Sequence, residues 1–305
     1  MIQTDAPLFG RVMTAMITPF DDRSNVDFKA TEKLVKHLLA TGTTTLVVSG
    51  TTGESPTLED SEKRDLLKAV IELADGKAKV VMGTGYNATA KSITASQEAE
   101  NLGADGLLVV APYYNKPSQA GLLKHFHEIA KSTSLPVIVY NIPGRTAVNI
   151  TSDTMLEMIE SDDNIYALKD STGSVEQSAE IAGQARSSFR IYSGDDYLTL
   201  PFLSIGGSGI ISVASHIVGQ QISDMVDDFF AGRHDAAREK HYKYLPIFKG
   251  LFAAPNPTCV KYALSLLGIC SENLRLPLIP LTSEEKQVIN KLMKEANLIA
   301  QKSVV

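Results

Sequence analysis

The chain is poor in cysteine, has no excess of positive charge and contains no long apolar run. Of its 305 residues only Cys259 and Cys270 are cysteines. They are too few for a disulfide framework, and neither lies in a Cys-x-x-Cys or Cys/His spacing that would hold zinc. Such usage fits a reducing cytosol. The 29 Lys and Arg against 35 Asp and Glu leave a net charge of −6, so the basic stripe that a phosphate backbone requires is missing and nucleic acid is not an expected partner. No apolar stretch approaches the ~18 residues of a membrane span, and residues 1–10 lack the basic-then-apolar order of a secretory signal. No membrane association is expected, and the expected location is the cytoplasm. What remains is the make-up of an ordinary globular protein, 44% hydrophobic and 21% charged, long enough to bury a core without disulfide or metal staples.

Short β-rich runs recur along the first two thirds of the chain, at 12–18, 44–48, 80–83, 106–110, 136–140, 165–169, 190–193 and 209–213. Between them apolar residues fall at helical spacing, as in Phe28, Leu34, Val35, Leu38 and Leu39, or in Leu66, Leu67, Val70, Ile71 and Leu73. Cap signals precede several of these helices: Asp60 or Ser61, Thr89, Ser118, and Ser152 or Asp153. Eight strands spaced at the length of a βαβ unit, joined by right-handed crossovers, predict a (β/α)8 TIM barrel. An open doubly wound sheet is the alternative. Residues 1–218 would carry the barrel up to the start of its last helix. Residues 219–305 would supply that helix and a C-terminal helical extension, broken at Pro246, Pro255, Pro257 and Pro277, as part of the same unit. No Gly, Ser or Pro-rich linker separates the two, and no low-complexity tract occurs.

In such a barrel the chemistry belongs at the carboxyl ends of the strands. Strict alternation along 165–169 places Ile165, Ala167 and Lys169 on one face, with Tyr166 and Leu168 on the other. Lys169 then points into the mouth, where burial favours the neutral amine that attacks a carbonyl to form a Schiff base. A lysine snorkelling at a strand end, or paired with Asp170, is the plain alternative. Tyr140 ends the neighbouring run and faces the same mouth, within reach to shuttle a proton; a packed aromatic is its ordinary fate. The second run enters Gly50-Thr-Thr-Gly-Glu-Ser55, whose tight turn presents hydroxyls and backbone N–H groups to a small carboxylate. Tyr113 and Tyr114 stand at the rim after the fourth run, and Arg145 follows Tyr140 on a loop stiffened by Pro143, where a bidentate carboxylate clamp would be useful.

Other patterns are set aside. Gly83-Thr-Gly-Tyr-Asn-Ala88 matches a dinucleotide fingerprint, but the next run lacks the acidic residue that a ribose would need. His125 and His127 are two apart in a predicted helix and face apart, so a metal site from them is not expected. His216 reads as a loop or helix start. There is no G-x-S-x-G elbow. The pairs Asp21-Asp22, Asp162-Asp163 and Asp195-Asp196 fall in turns, the last of them at the mouth.

The motifs GTTGESPTL, GTGYNAT, APYYNKPSQAG, YNIPGRT, ALKDSTG, YSGDD and GIISVASH, continued by PNPTCVK and LRLPLIPLT, cover nearly the whole chain. Together they resemble the dihydrodipicolinate synthases, a branch of the pyruvate-dependent class I aldolase and N-acetylneuraminate lyase family. The lysine, the tyrosine strand and the Gly-Thr turn are common to that wider family; Arg145 with Thr51 and Thr52 points to the synthase branch. The resemblance implies condensation of pyruvate with L-aspartate 4-semialdehyde in lysine and diaminopimelate biosynthesis, with another pyruvate-dependent lyase, such as N-acetylneuraminate lyase, as the alternative. It implies that Lys169 forms the Schiff base, that Tyr140 gives and takes the proton, and that Thr51 links Tyr140 to Tyr114 of a neighbouring subunit. Thr52 would hold the pyruvate carboxylate, Arg145 the semialdehyde carboxylate, and Gly194 and Ile211 would approach through their backbones. No metal or organic cofactor is implied, and the resemblance implies a homo-oligomer, a dimer of dimers. The effector pocket for L-lysine maps to Ser55, Pro56, Asp60, Lys63, Asn87, Lys91 and Tyr113. Two lysines and an aspartate there replace the histidines and glutamate of the inhibited pattern, so feedback is expected to be weak or absent.

Overall fold

A computed structural model describes residues 6–300. Eight parallel strands, β1 Val12–Ala15, β2 Thr45–Val48, β3 Lys79–Gly83, β4 Gly106–Val110, β5 Val137–Asn141, β6 Ile165–Asp170, β7 Arg190–Ser193 and β8 Gly209–Ser212, close into a barrel in sequence order, β8 pairing with β1. This closure excludes the open sheet. The outer helices are α1 Phe28–Ala40, α2 Asp60–Ala74, α3 Thr89–Asn101, α4 Gln119–Lys131, the short turn α5 Pro143–Thr146, α6 Ser152–Ser161, α7 Val175–Gln184, α8 Thr199–Ser204 and α9 Ser215–Phe230. Beyond them lie α10 His234–Gly250, α11 Thr258–Leu266 and α12 Ser283–Glu295.

Two apolar layers follow from the alternation of strand side chains. Phe9, Met13, Val47, Val81, Leu108 and Ile138 fill the barrel interior. The larger layer lies between strands and helices, and residues of the extension, among them Phe248, Val260 and Ile289, belong to the same cluster as Leu34 and Leu66 of the barrel helices.

Four local expectations need correction. The pairing of β6 with β5 shifts between Val137 and Ile138, so Ile165 opposes Val137 but Ala167 opposes Ile138. Tyr166 sits in this bulge, and the alternation slips by one. Ile165 therefore faces the outer layer, and Tyr166 turns towards the interior, edge-on to Phe9 at 5.4 Å, with its hydroxyl accepting from Leu8 N. Ala167 and Lys169, beyond the bulge, keep the inward phase. Helix caps also differ: Glu59 caps α2 in a reciprocal box with Glu62, Ala88 precedes α3, and Thr151 caps α6, while Ser118 caps α4. At α2 and α6 a carboxylate or hydroxyl one residue earlier serves the same orphan N–H groups. The first strand stops at Ala15, three residues short of 18. Finally, α10 runs through Pro246; the carbonyl deprived of its partner belongs to Tyr242, an exposed residue at which that loss is cheap.

Candidate active site

Parallel pairing brings the ends of β5 and β6 side by side, with Tyr140 opposite Lys169 and Lys169 opposite Tyr192. Both Lys169 and Tyr140 are buried, and the lysine Nζ stands 4.1 Å from the centre of the Tyr140 ring. Asp170 turns the other way, accepting from Ser178 Oγ at 2.5 Å and from Thr172 N at 2.7 Å. The side chain of Lys169 thus has an aromatic face beside it and no carboxylate within ion-pair distance among the described residues. Gly194, on the loop after β7, closes the other flank. A Cβ there would lie 3.1 Å from Lys169 Cε and 2.0 Å from Ser171 Oγ, so only bare backbone fits against the lysine stem. Ile211 of β8 is buried in the interior layer below.

Tyr140 forms a wall of an open cavity of about 240 Å³, shared with Thr51, Ser55, Tyr86, Tyr113 and Arg145. Arg145, on α5, is exposed at the rim. Asp195 borders the mouth. Burial and the adjoining Asp196 carboxylate raise it to about 6 against the opposing pull of the Lys169 ammonium. Asp196 itself is fully enclosed and held by Ser212 Oγ, Val213 N and Ala214 N.

The Gly50–Ser55 turn is folded as two short 3₁₀ turns, Thr51–Gly53 and Ser55–Thr57. Thr18 Oγ1 donates to Gly53 O at 2.7 Å, and Thr52, buried, accepts from Asn256 Nδ2 at 2.9 Å. Among the described residues no hydrogen bond joins the Thr51 hydroxyl to Tyr140 or Tyr114. Tyr114 is 89% exposed and adopts φ +76°, a region costly for a bulky side chain. It projects away from the rest of its own chain, whereas Tyr113 lines the cavity.

Beside the cavity lies a group that motif reasoning saw only in part. Lys63 Nζ donates to Tyr86 OH at 2.6 Å and lies 3.8 Å from Asp60; Lys91 lies 3.9 Å from the same carboxylate. The two ammonium groups stand 4.8 and 4.4 Å from the centre of the Tyr86 ring. Burial pulls Lys63 below its ordinary range against the pull of Asp60, and burial also pushes the Tyr86 phenol upward. Asn87 meets Asn115 through its backbone oxygen, and Ser55 and Pro56 belong to the cavity wall. In the sequence Tyr86 stands only inside the Gly83–Ala88 pattern and the GTGYNAT motif, with nothing to mark a role of its own. Gly85 in that pattern is required for packing, since a Cβ would lie 2.3 Å from Val110 N.

The other set-aside residues are placed apart. His125 bonds Thr89 and His127 bonds Asp162. His216 begins α9 fully buried, its Nε2 accepting from Ile17 N and its Nδ1 donating to Val213 O. No group of three His, Cys, Asp or Glu able to hold a metal ion occurs among the described residues, and none of their helices is long and apolar enough to cross a membrane.

Comparison with known proteins converges on one family. Residues 8–296 match the model of the dihydrodipicolinate synthetase family. A 4-hydroxy-tetrahydrodipicolinate synthase of Halalkalibacterium halodurans is 51% identical over 278 residues, covering 91% of this chain and 94% of that protein. The crystal structure of a dihydrodipicolinate synthase from Bacillus anthracis superposes with a TM-score of 0.92 at 46% identity, covering 94% of this chain and 98% of that one. A synthase from Cyanidioschyzon merolae with lysine bound gives a TM-score of 0.94 at 43% identity over 96% of this chain and all of that one.

Proposed function

The chain belongs to the dihydrodipicolinate synthetase family, and we propose from that premise how its own residues condense pyruvate with L-aspartate 4-semialdehyde. The Lys169 amine adds to the pyruvate carbonyl, and loss of water leaves an iminium. A methyl proton then departs to give an enamine, whose terminal carbon attacks the aldehyde carbon of the second substrate. The amine of that substrate closes the ring at the former carbonyl carbon and releases Lys169. The observation that carries this reading is the placement of the Lys169 Nζ 4.1 Å from the Tyr140 ring centre on adjacent strand ends, both residues buried and the tyrosine opening onto the cavity. Tyr140 is the group that gives and takes protons at the adduct. Thr52 holds the pyruvate carboxylate, Gly194 and Ile211 present backbone groups, and Arg145 meets the carboxylate of the semialdehyde at the rim.

Thr51 and Tyr114 complete the proton path in an assembly. The outward, exposed Tyr114 suits a residue lent to a second subunit, so the working form is at least a homodimer, built up to a dimer of dimers, in the cytoplasm. Residues 1–218 and 219–305 act as one unit. The paired Lys63 and Lys91 around Asp60 and Tyr86 already occupy the ground that a dicationic effector would need, so feedback by L-lysine is weak or absent in this reading.

Borohydride reduction in the presence of pyruvate tests the central step. The expected product is a stable adduct on Lys169, located by mass spectrometry, together with turnover in a coupled assay with aspartate semialdehyde and not with N-acetylmannosamine. An adduct on another lysine would overturn the mechanism.

A further inference from the structure

The polarity of the Thr52 hydroxyl is set from 204 residues away. Asn256, buried just before α11, places its side-chain amide 2.9 Å from Thr52 Oγ1 with Nδ2 as donor. Its Oδ1 is also buried and has no hydrogen-bond partner among the described residues. The opposite amide orientation would let Oδ1 accept from the threonine but would leave both N–H donors without a partner, where the observed one leaves a single N–H and the acceptor, and orphaned donors are the rarer and costlier case. With the amide donating, a threonine lone pair is used and its proton is left to donate elsewhere.

We propose that Asn256 is a positioning residue that turns the Thr52 hydroxyl into a donor for the pyruvate carboxylate; this rests on the reading of Thr52 as the carboxylate holder. A hydroxyl that already accepts a hydrogen bond is also polarised into a stronger donor. The segment around Asn256 is anchored for the task. Lys261 on α11 is fully buried, its Nζ 2.5 Å from Glu54 Oε1 and donating to Asn273 O at 2.8 Å, while Arg275 N donates to Glu54 Oε2 at 3.1 Å. Glu54 is two residues beyond Thr52. The C-terminal extension therefore grips the substrate turn at two points, one through charge and one through the amide.

The test compares Asn256→Ala, Asn256→Asp and Thr52→Val, singly and combined, in steady-state kinetics for each substrate, with thermal melts alongside. Asn256→Ala should raise KM for pyruvate about 10-fold and leave KM for the semialdehyde within about 2-fold. Asn256→Asp is isosteric but only accepts. It should accept the hydroxyl's hydrogen bond, turning that donor away from pyruvate, and raise the pyruvate KM about 100-fold, a larger loss than the smaller alanine causes. In the Thr52→Val background, which has no hydroxyl to turn, Asn256→Ala should add no further loss. A merely structural asparagine would instead make alanine the worse variant and raise both KM values together, which overturns the proposal, as does an additive double variant. If Thr52→Val itself leaves pyruvate KM unchanged, the reading of Thr52 fails first. If Thr52→Val is impaired but both Asn256 variants bind pyruvate normally, the carboxylate role stands and the positioning role falls.

Discussion

Two lysines are buried, Lys261 beside the Gly50–Ser55 turn and Lys169 near the end of β6, and they are treated in opposite ways. Lys261 is sealed between the Glu54 carboxylate, the Asn273 carbonyl and the Phe20 ring, whose centre is 4.1 Å from Nζ. Burial depresses its affinity for the proton, against the opposing pull of Glu54. Every donor direction has an acceptor or a π-face, so this ammonium is a fastener. Lys169 is nearly as buried, but its Nζ has an aromatic ring on one side and no carboxylate in ion-pair range. An amine that must attack a carbon cannot be committed to a carboxylate. The same side chain is a bolt where its partners saturate it and, in the proposed mechanism, a nucleophile where they do not.

The sharpest way to break this comparison is to remove each lysine in turn. Lys169→Ala should lower kcat by about 10⁴-fold or more and abolish the borohydride adduct, with a melting temperature close to that of the parent. Lys261→Ala should do the reverse. Stranding Glu54 without its counter-charge costs about 3–5 kcal/mol, read from urea midpoints, while whatever folds still forms the adduct on Lys169. Glu54→Gln with Lys261→Met, which removes both charges, should recover most of that stability. Comparable destabilisation in both single variants would erase the distinction.

Buried bases that must stay neutral extend the comparison. His216 and His125 are held near 4, chiefly by burial, below the ordinary value of about 6.5. As pH falls from 6.5 towards 4 the unfolded chain takes up protons that the fold refuses, so stability is full above about 6.5 and is lost on acidification, by up to about 3 kcal/mol per histidine. Urea midpoints at intervals from pH 7 to 4.5 should fall accordingly, and His125→Gln should flatten the slope by one histidine's share. An unchanged slope would mean that His125 is protonated in the folded protein.

An exposed cation should matter less for the fold and selectively for the chemistry. Arg145→Ala should cost roughly 1.5–3 kcal/mol of transition-state binding, about 10- to 150-fold in kcat/KM for the semialdehyde, with pyruvate affinity nearly untouched. Equal losses for both substrates would make Arg145 structural. The smallest expected effect is weak or no inhibition: initial rates across L-lysine up to millimolar should stay flat or nearly so, because Lys63 and Lys91 meet the ligand with like charge. Partial inhibition with a sub-millimolar midpoint would show that the two amines yield their ground.

Much of the barrel was legible because its signals are local. Period-2 runs separated by helical spacing mark the strands, and the carboxyl ends of parallel strands mark where Tyr140 and Lys169 stand. The bulge at Tyr166 was not legible, since it arises from the register with β5 and not from any residue pattern within β6. The caps at Glu59 and Thr151 were missed by one residue for a similar reason. Neighbouring polar residues compete for one capping role, and backbone direction selects among them.

The sequence by itself determined the class of barrel, the strand-end lysine and tyrosine, and the hydroxyl-rich turn, because each depends on residues close together in the chain. Only the tertiary structure decided which hydroxyl is polarised, which lysine is bolted down and what fills the ground beside the cavity. Asn256 reaches Thr52 across 204 residues, Lys261 reaches Glu54 across the same closure, and Tyr86 lies between two lysines from different helices. Such partners are chosen by how the layers pack, and packing is a property of distances in space that spacing along the chain does not encode.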